Sequence, residues 1–250
     1  MPAEVKRQPL QRWREQLHEA LHGHYSDPIH AALHSTVTRH RIPVQYLELA
    51  LDGVAMDLDV RRYETFDDLY QYCYRVASVV GLSCIHVWGF RDERAKQHAE
   101  AAGIAFQLTN ILRDLAEDVA RDRIYLPLAD LRDFNYSETD LRAGVRNQHF
   151  VDLLNYQASR ALEYYEEGER LLTYLPPPGR AVFLVMLRTY RELLQAVRQR
   201  SRDVFTRRVS LSRCRKLWLT VQALPVRWGW SRGFFSSQLS AISHRRTADR

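Results

Sequence analysis

Almost every stretch of this 250-residue chain repeats its apolar residues at helical spacing, and none alternates apolar and polar residues over the length of a strand. A chain patterned in this way must bury helix stripes against other helices, which leaves an all-α architecture. Punctuation divides the pattern. Residues 10 to 22 form a first helix that Gly23 ends, and Asp27-Pro28 opens a second that runs to about Arg39. Pro43 starts a third over VQYLELALDGVAMDLD. Thr65 caps a long fourth over residues 65 to 90, with Asp67 and Asp68 in the first turn, where the helix dipole favours acids. A fifth spans 92 to 122 and stops before Pro127. Short helical turns follow, with Ser137 and Thr139 as caps, then a polar-faced helix over 147 to 175. The cluster Pro176, Pro177, Pro178 and Gly179 reads as a helix–helix loop before the apolar helix RAVFLVMLRTYRELLQAVRQ. The last helix, LSRCRKLWLTVQAL, ends near Pro225.

Composition bounds the class. A hydrophobic share of 46% and a charged share of 26% are those of a folded globular chain. No apolar run approaches the roughly 18 residues needed to span a bilayer, and the N-terminus lacks the apolar core of a signal peptide. Cys73, Cys84 and Cys214 stand far apart and odd in number, so buried reduced thiols in an intracellular, cytoplasmic protein are expected. The net charge of +6 points to anionic partners, but no nucleic-acid motif accompanies it.

One polar run stands out. Gln107, Asn110, Asp114 and Asp118 are spaced by three, four and four residues, which stacks them on one helical face. Two carboxylates at i and i+4 repel, and Asp is a poor helix former, so such a face gains from holding a cation. Oxygen-only ligands suit a hard ion such as Mg²⁺. The opposite face carries Leu108, Leu112, Leu115 and Val119, so an ordinary amphipathic surface helix gives the same pattern. Asp57 and Asp59, two residues apart, make a weaker metal pair, and His18, His22 and His24 read as a solvated cluster. The helix over 65 to 90 is apolar nearly all round, with small residues Ala77, Ser78, Gly81 and Ser83, and is expected to be central and closely approached. Arg75 within it is expected to meet an anion, either a carboxylate or a diphosphate.

The runs YCYRVASVVGL (72 to 82) and QLTNILRDLAEDVARDRIYLP (107 to 127) resemble the squalene/phytoene synthases. The likeness continues through DGVAMDLDVRRYETFDDLY, MLRTYRELL and VFTRRVSLSRCRKL, and so covers nearly all of residues 10 to 220. It implies a single helical domain of the isoprenoid synthase type with a central cavity. The implied reaction is a Mg²⁺-dependent head-to-head condensation of two farnesyl or geranylgeranyl diphosphates to presqualene diphosphate, squalene or phytoene, with NADPH needed only if squalene is the product. On that resemblance Asp114 and Asp118 bind Mg²⁺, Gln107 and Asn110 line the same face, and Arg113 and Tyr125 assist the diphosphate. Tyr72, Val76, Ala77 and Gly81 form the prenyl wall, and Arg75, where some relatives place a Tyr, contacts phosphate. Asp122 replaces a small residue.

The family pattern also has a first aspartate-rich motif, Y-x-F-C-R-x-x-D-D-x-x-D, ahead of the segment matching residues 10 to 22. The residues before that segment here contain no Asp, so an N-terminally shortened member is expected, or one whose start lies further upstream. A non-catalytic relative acting in binding or assembly is the second reading. Residues 1–225 form the expected domain. Residues 226–250, with Trp228, Trp230, Phe234 and Phe235 among Arg, form a flexible tail or a peripheral contact with an anionic membrane at its inner face.

Overall fold

The computed structural model describes residues 3–229, with side chains from residue 7 onward except that of residue 202. Every regular element in it is helical. The first three are α1 (Ala3–Leu21), α2 (Pro28–His40) and α3 (Val44–Asp59). α4 (Phe66–Cys73), a π-helical turn (Tyr74–Ser78) and α5 (Val79–Trp88) make one continuous rod. α6 (Ala95–Arg113) and α7 (Leu115–Ala120) follow, then the short α8 (Leu128–Asp133) and α9 (Glu138–Ala143). α10 (Gln148–Glu169) leads through a 3₁₀ turn (Arg170–Thr173) to α11 (Pro177–Gln199), and after a second 3₁₀ turn (Ser201–Asp203) the chain ends in α12 (Arg213–Arg227).

The caps anticipated from sequence do their work. Asp27 accepts the amide of Ile29, and Thr65 and Asp68 form a reciprocal capping box that starts α4. Ser137 does the same with Asp140, which leaves Thr139 inside α9 rather than at its cap. Pro177 and Pro178 lie in the first turn of α11, where a missing amide costs nothing, so the proline cluster is a helix start as much as a loop. α12 continues two residues past Pro225.

α6 is the centre of the molecule. Ala95, Ala99, Ala102, Ile104, Ala105, Leu108, Ile111 and Leu112 are buried around its circumference, and its most extensive neighbour is α10. The rod 66–88, expected to be central, is instead half-sheathed: Val80 and Val87 face solvent. Its close approach to something is real, however, and that something is α6. A Cβ on Gly103 would fall 2.5 Å from Ser78 Cα and 2.7 Å from its amide nitrogen. Ser78 Oγ donates to the Glu100 carbonyl at 2.8 Å across the same contact. On its other side a Cβ on Gly53 of α3 would meet Val76 Cγ1 at 2.8 Å. The π turn is therefore clamped between two helices at glycine positions, and wide turns of this kind recur at functional sites.

Gly103→Ala must displace backbone rather than a flexible side chain. It is expected to destabilise the fold by about 1–3 kcal/mol, read as a fall of roughly 2–12 °C in the melting midpoint by calorimetry.

Candidate active site

The aspartate run is not one straight helix. α6 ends at Arg113, Asp114 adopts φ −102° and ψ 13°, and α7 starts at Leu115. The interruption is slight. Asp114 N still donates to Asn110 O at 2.9 Å, and Asp118 N donates to Asp114 O at 3.0 Å, so the order of the face survives.

Gln107 and Asn110 line an apolar cavity of about 220 Å³ together with Val76, Ala77 and Gly81. Five residues expected to meet substrate thus share one wall. Trp88, Phe106, Phe183, Met186 and Tyr190 are among its other walls, with Phe106 stacked on Tyr190 at 4.7 Å between ring centres. Asn110 Nδ2 reaches Gln107 Oε1 at 3.4 Å, while Asn110 Oδ1 is buried without a hydrogen-bond partner. A buried acceptor left unpaired costs about 1–3 kcal/mol, so it is a place where a ligand cation or donor is welcome.

The two aspartates are unequal. Asp114 is gripped by two guanidiniums. Arg113 Nε donates to Oδ1 at 2.8 Å and Nη2 pairs with Oδ2, while Arg208 donates at 2.8 and 3.2 Å. Burial lifts its carboxyl, but the bonds from Arg113 and Arg208 outweigh burial and hold it below the usual range. Asp118 receives no side-chain donor among the described residues. Burial, and then the charge of Asp114, push its carboxyl up to about 6, with Asp57 adding to the rise against Arg123 and Arg121.

Asp57 is the residue that sequence reasoning undervalued. Tyr125 Oη donates to Asp57 Oδ1 at 2.8 Å, and Tyr72 Oη donates to Tyr125 Oη at 3.4 Å. The rings of Tyr63, Tyr72 and Tyr125 pack with centres 5.1 to 5.9 Å apart, Tyr125 stacked on each of the other two, and burial raises all three phenols, Tyr125 to about 12. Tyr72 is thus not among the cavity's lining residues. It is buried beneath, holding Tyr125. The stack exists because the chain after α3 runs beside the chain after α7: Ile124 N donates to Arg61 O and Leu128 N to Tyr63 O. Asp122, at φ +60°, accepts from Arg62 and Arg142 and fastens this crossing, which gives its substitution a structural role. Nothing in the local pattern marks Asp57 or Arg208, since their partners lie 68 and 94 residues away.

Two expectations are corrected in part. Of the two anions expected at Arg75, the carboxylate is not met among the described residues, because the Arg75 side of the rod is only half-buried; the guanidinium donates to Gln71 O at 2.7 Å and Oε1 at 3.0 Å. The cysteines are free but not all buried: Cys73 is buried, Cys84 lines the cavity, and Cys214 is exposed on α12. The His18, His22 and His24 group is solvent-facing, as expected, with His18 near Glu48 at 3.5 Å. No helix among the described residues is long and apolar enough to cross a membrane. Most of the tail, with Trp230, Phe234 and Phe235, lies outside the described residues.

A family model described as squalene/phytoene synthase matches residues 2–215. A 15-cis-phytoene synthase of Synechococcus elongatus is 39% identical over 87% of this chain and 73% of its own length. A phytoene synthase of Arthrospira platensis is 38% identical over 90% and 76%. Among solved structures, a dehydrosqualene synthase in complex with ligand superposes with a TM-score of 0.78 at 30% identity, covering 86% of this chain and 76% of that one. The squalene synthase of Alicyclobacillus acidocaldarius gives 0.74 at 27%, covering 76% and 73%. With its helical fold, its amide–aspartate face and its apolar cavity, the chain belongs to the squalene/phytoene synthase family.

Proposed function

We propose that this prenyltransferase joins two prenyl diphosphates head to head, with phytoene the favoured product because the similar curated chains are phytoene synthases. The observation that carries the reading is an apolar, aromatic-walled cavity whose polar edge leads one turn on to Asp114 and then Asp118. Loss of diphosphate needs its charge balanced, and the allylic cation left behind needs a dry site with aromatic faces. Phe106, Phe183, Tyr190 and Trp88 supply such faces. At about 220 Å³ the cavity is below the 300–1,000 Å³ usual for small-molecule sites, so two prenyl chains require it to widen, toward exposed Val80 and Met186.

The donor set fits Mg²⁺ in part. Asp118, crowded by two other carboxylates, and the orphaned Asn110 Oδ1 are hard oxygen ligands, and Asp114 completes the face once its guanidiniums let go. When bound, Mg²⁺ neutralises diphosphate oxygens. Arg113 and Arg208 would hold the diphosphate, and Asp114, released from them, would then be a ligand for the cation. Tyr125, which accepts from Tyr72, holds through its hydroxyl Asp57, whose charge reaches Asp118.

A second reading, a non-catalytic relative, is favoured by one observation: the described residues contain no group of three or more His, Cys, Asp or Glu able to hold a metal ion. The two readings separate on diphosphate release by the full chain with Mg²⁺ and geranylgeranyl or farnesyl diphosphate. The enzyme reading expects release that chelation abolishes and that Asp114→Ala lowers by at least about 100-fold. No release with either substrate overturns it. Asp57→Asn keeps shape but removes the charged acceptor of Tyr125. It is expected to lower kcat about tenfold with the melting midpoint little changed, and unchanged kcat would remove Asp57 from the site.

Asp118 also predicts a stability signature. Its folded carboxyl holds a proton more tightly than the ordinary 3.8, so between about 4 and 6 the folded chain binds more protons and stability falls as pH rises. The rise is equivalent to about 3 kcal/mol, cut by partial solvation to about 1–2 kcal/mol. Asp118→Asn is therefore expected to melt roughly 2–8 °C above the parent at pH 7, with the gain fading near pH 4. Mg²⁺ with diphosphate should stabilise the parent and not the variant, by scanning fluorimetry.

A further inference from the structure

A second cavity, of about 580 Å³, lies where α4, α6 and α10 meet. It shares no lining residue with the cavity of about 220 Å³, because Gln97, Glu100 and Ala101 leave α6 nearly half a turn away from Ala99, Gly103 and Phe106. Its size is that of a small-molecule site. Its apolar part is aromatic: the rings of Phe66, Tyr70 and Tyr164 stand with every pair of centres 6.0 to 6.3 Å apart. Its polar part is acidic, although the chain as a whole carries a net charge of +6. Glu100, Glu163 and Glu167 line it, and the last two lie one turn apart on α10, where like charges repel. The guanidinium in the wall does not answer them. Arg160 lies 4.2 Å over the Phe66 ring and is committed to Asp130 at 2.6 and 3.3 Å. Among the described residues the Glu100 carboxylate accepts only the Tyr70 hydroxyl, and Glu163 meets no cation. Glu167 pairs with exposed Arg170 at 2.9 Å. Behind it His98 is 6% exposed, and its Nδ1 lies 2.9 Å from Glu167 Oε1 but out of line for a hydrogen bond. A buried nitrogen left unpaired at the wall shows that this carboxylate is not fastened from within.

We propose that this cavity binds a linear polyamine, an aliphatic chain with two or more ammonium groups. The ammoniums answer Glu100, Glu163 and Glu167, while the methylenes between them lie on Tyr70 and Tyr164, whose ring faces also favour a cation. No group of three or more His, Cys, Asp or Glu among the described residues could hold a metal ion, so these three carboxylates are too dispersed for one compact cation. A chain with spaced charges meets dispersed acids. Its hydrocarbon also uses the aromatic wall, which a hydrated inorganic ion does not. None of these side chains belongs to the candidate active site, and the binding does not depend on the reaction proposed above.

The test uses the full chain without prenyl diphosphate or Mg²⁺. Spermidine, titrated by calorimetry at fixed ionic strength, is expected to bind one per chain, and about tenfold tighter than propylamine because of its added ion pairs. Glu100→Gln combined with Glu163→Gln should weaken it about tenfold. Tyr164→Leu, which keeps an apolar side chain but removes the ring, should weaken it about threefold. Glu163 is exposed, so Glu163→Gln alone, expected to cost about threefold, reads the site in a fold left intact. Equimolar Mg²⁺ should displace little of the bound spermidine. Absence of saturable spermidine binding overturns the proposal. So does binding that the Glu variants leave unchanged, or that propylamine or Mg²⁺ matches. Because no substrate is present, any of these results leaves the diphosphate-release assay to stand on its own.

Discussion

The π turn over Tyr74–Ser78 touches α6 backbone to backbone at Gly103, and the cavity and the polar face take their places from that contact. Without it the rod 66–88 would stand off by the width of a side chain. Val76, Ala77 and Gly81 could not then share a cavity with Gln107 and Asn110. Ser78 secures the contact with one hydrogen bond to the Glu100 carbonyl, and Gly53 lets α3 close on it from behind. Small residues here serve geometry. They let two helix backbones approach, and the larger aromatic residues on α6 and α11 then line the space left over.

Charge is distributed unevenly along the face that results. Asp114 is balanced by Arg113 and Arg208, whereas Asp118 is half-buried near other carboxylates and carries no donor of its own among the described residues. A fold optimised only for stability would not keep such a carboxylate. Groups displaced by both burial and neighbouring charge cluster where ligands bind, and here the displaced group lies two turns on from an unpaired buried amide oxygen. Tyr125 and its stacked partners hold Asp57, whose charge reaches Asp118, and are themselves held by the crossing of chain segments near Ile124 and Tyr63.

The helices were legible because their apolar spacing and their caps agree: Asp27, Thr65 and Ser137 each accept the amide their position implies. The amide–aspartate face was legible because its residue types are unusual for a solvated face. The break at Asp114 was not, since helical phase carries through one slack residue. The π turn was hidden for a similar reason, because one wide turn leaves the apolar pattern on either side intact. The carboxylate expected at Arg75 is absent among the described residues: a lone cation in an apolar run implies burial, while the rod is covered on only part of its circumference. Asp57 and Arg208 reach the site through long-range packing that local periodicity cannot express.

The central claim is that a divalent cation and diphosphate sit on the Asp114–Asp118 face with the prenyl chain in the adjoining cavity. It is tested most directly by a crystal structure of the full chain with Mn²⁺ and a thiolo analogue of farnesyl diphosphate that resists ionisation. Anomalous scattering should place metal about 2.1 Å from Asp118 and Asp114 oxygens, with Arg113 and Arg208 turned to the diphosphate and the hydrocarbon between Gly81 and Phe106. Metal bound away from both aspartates, or the prenyl chain outside that cavity, would contradict the account.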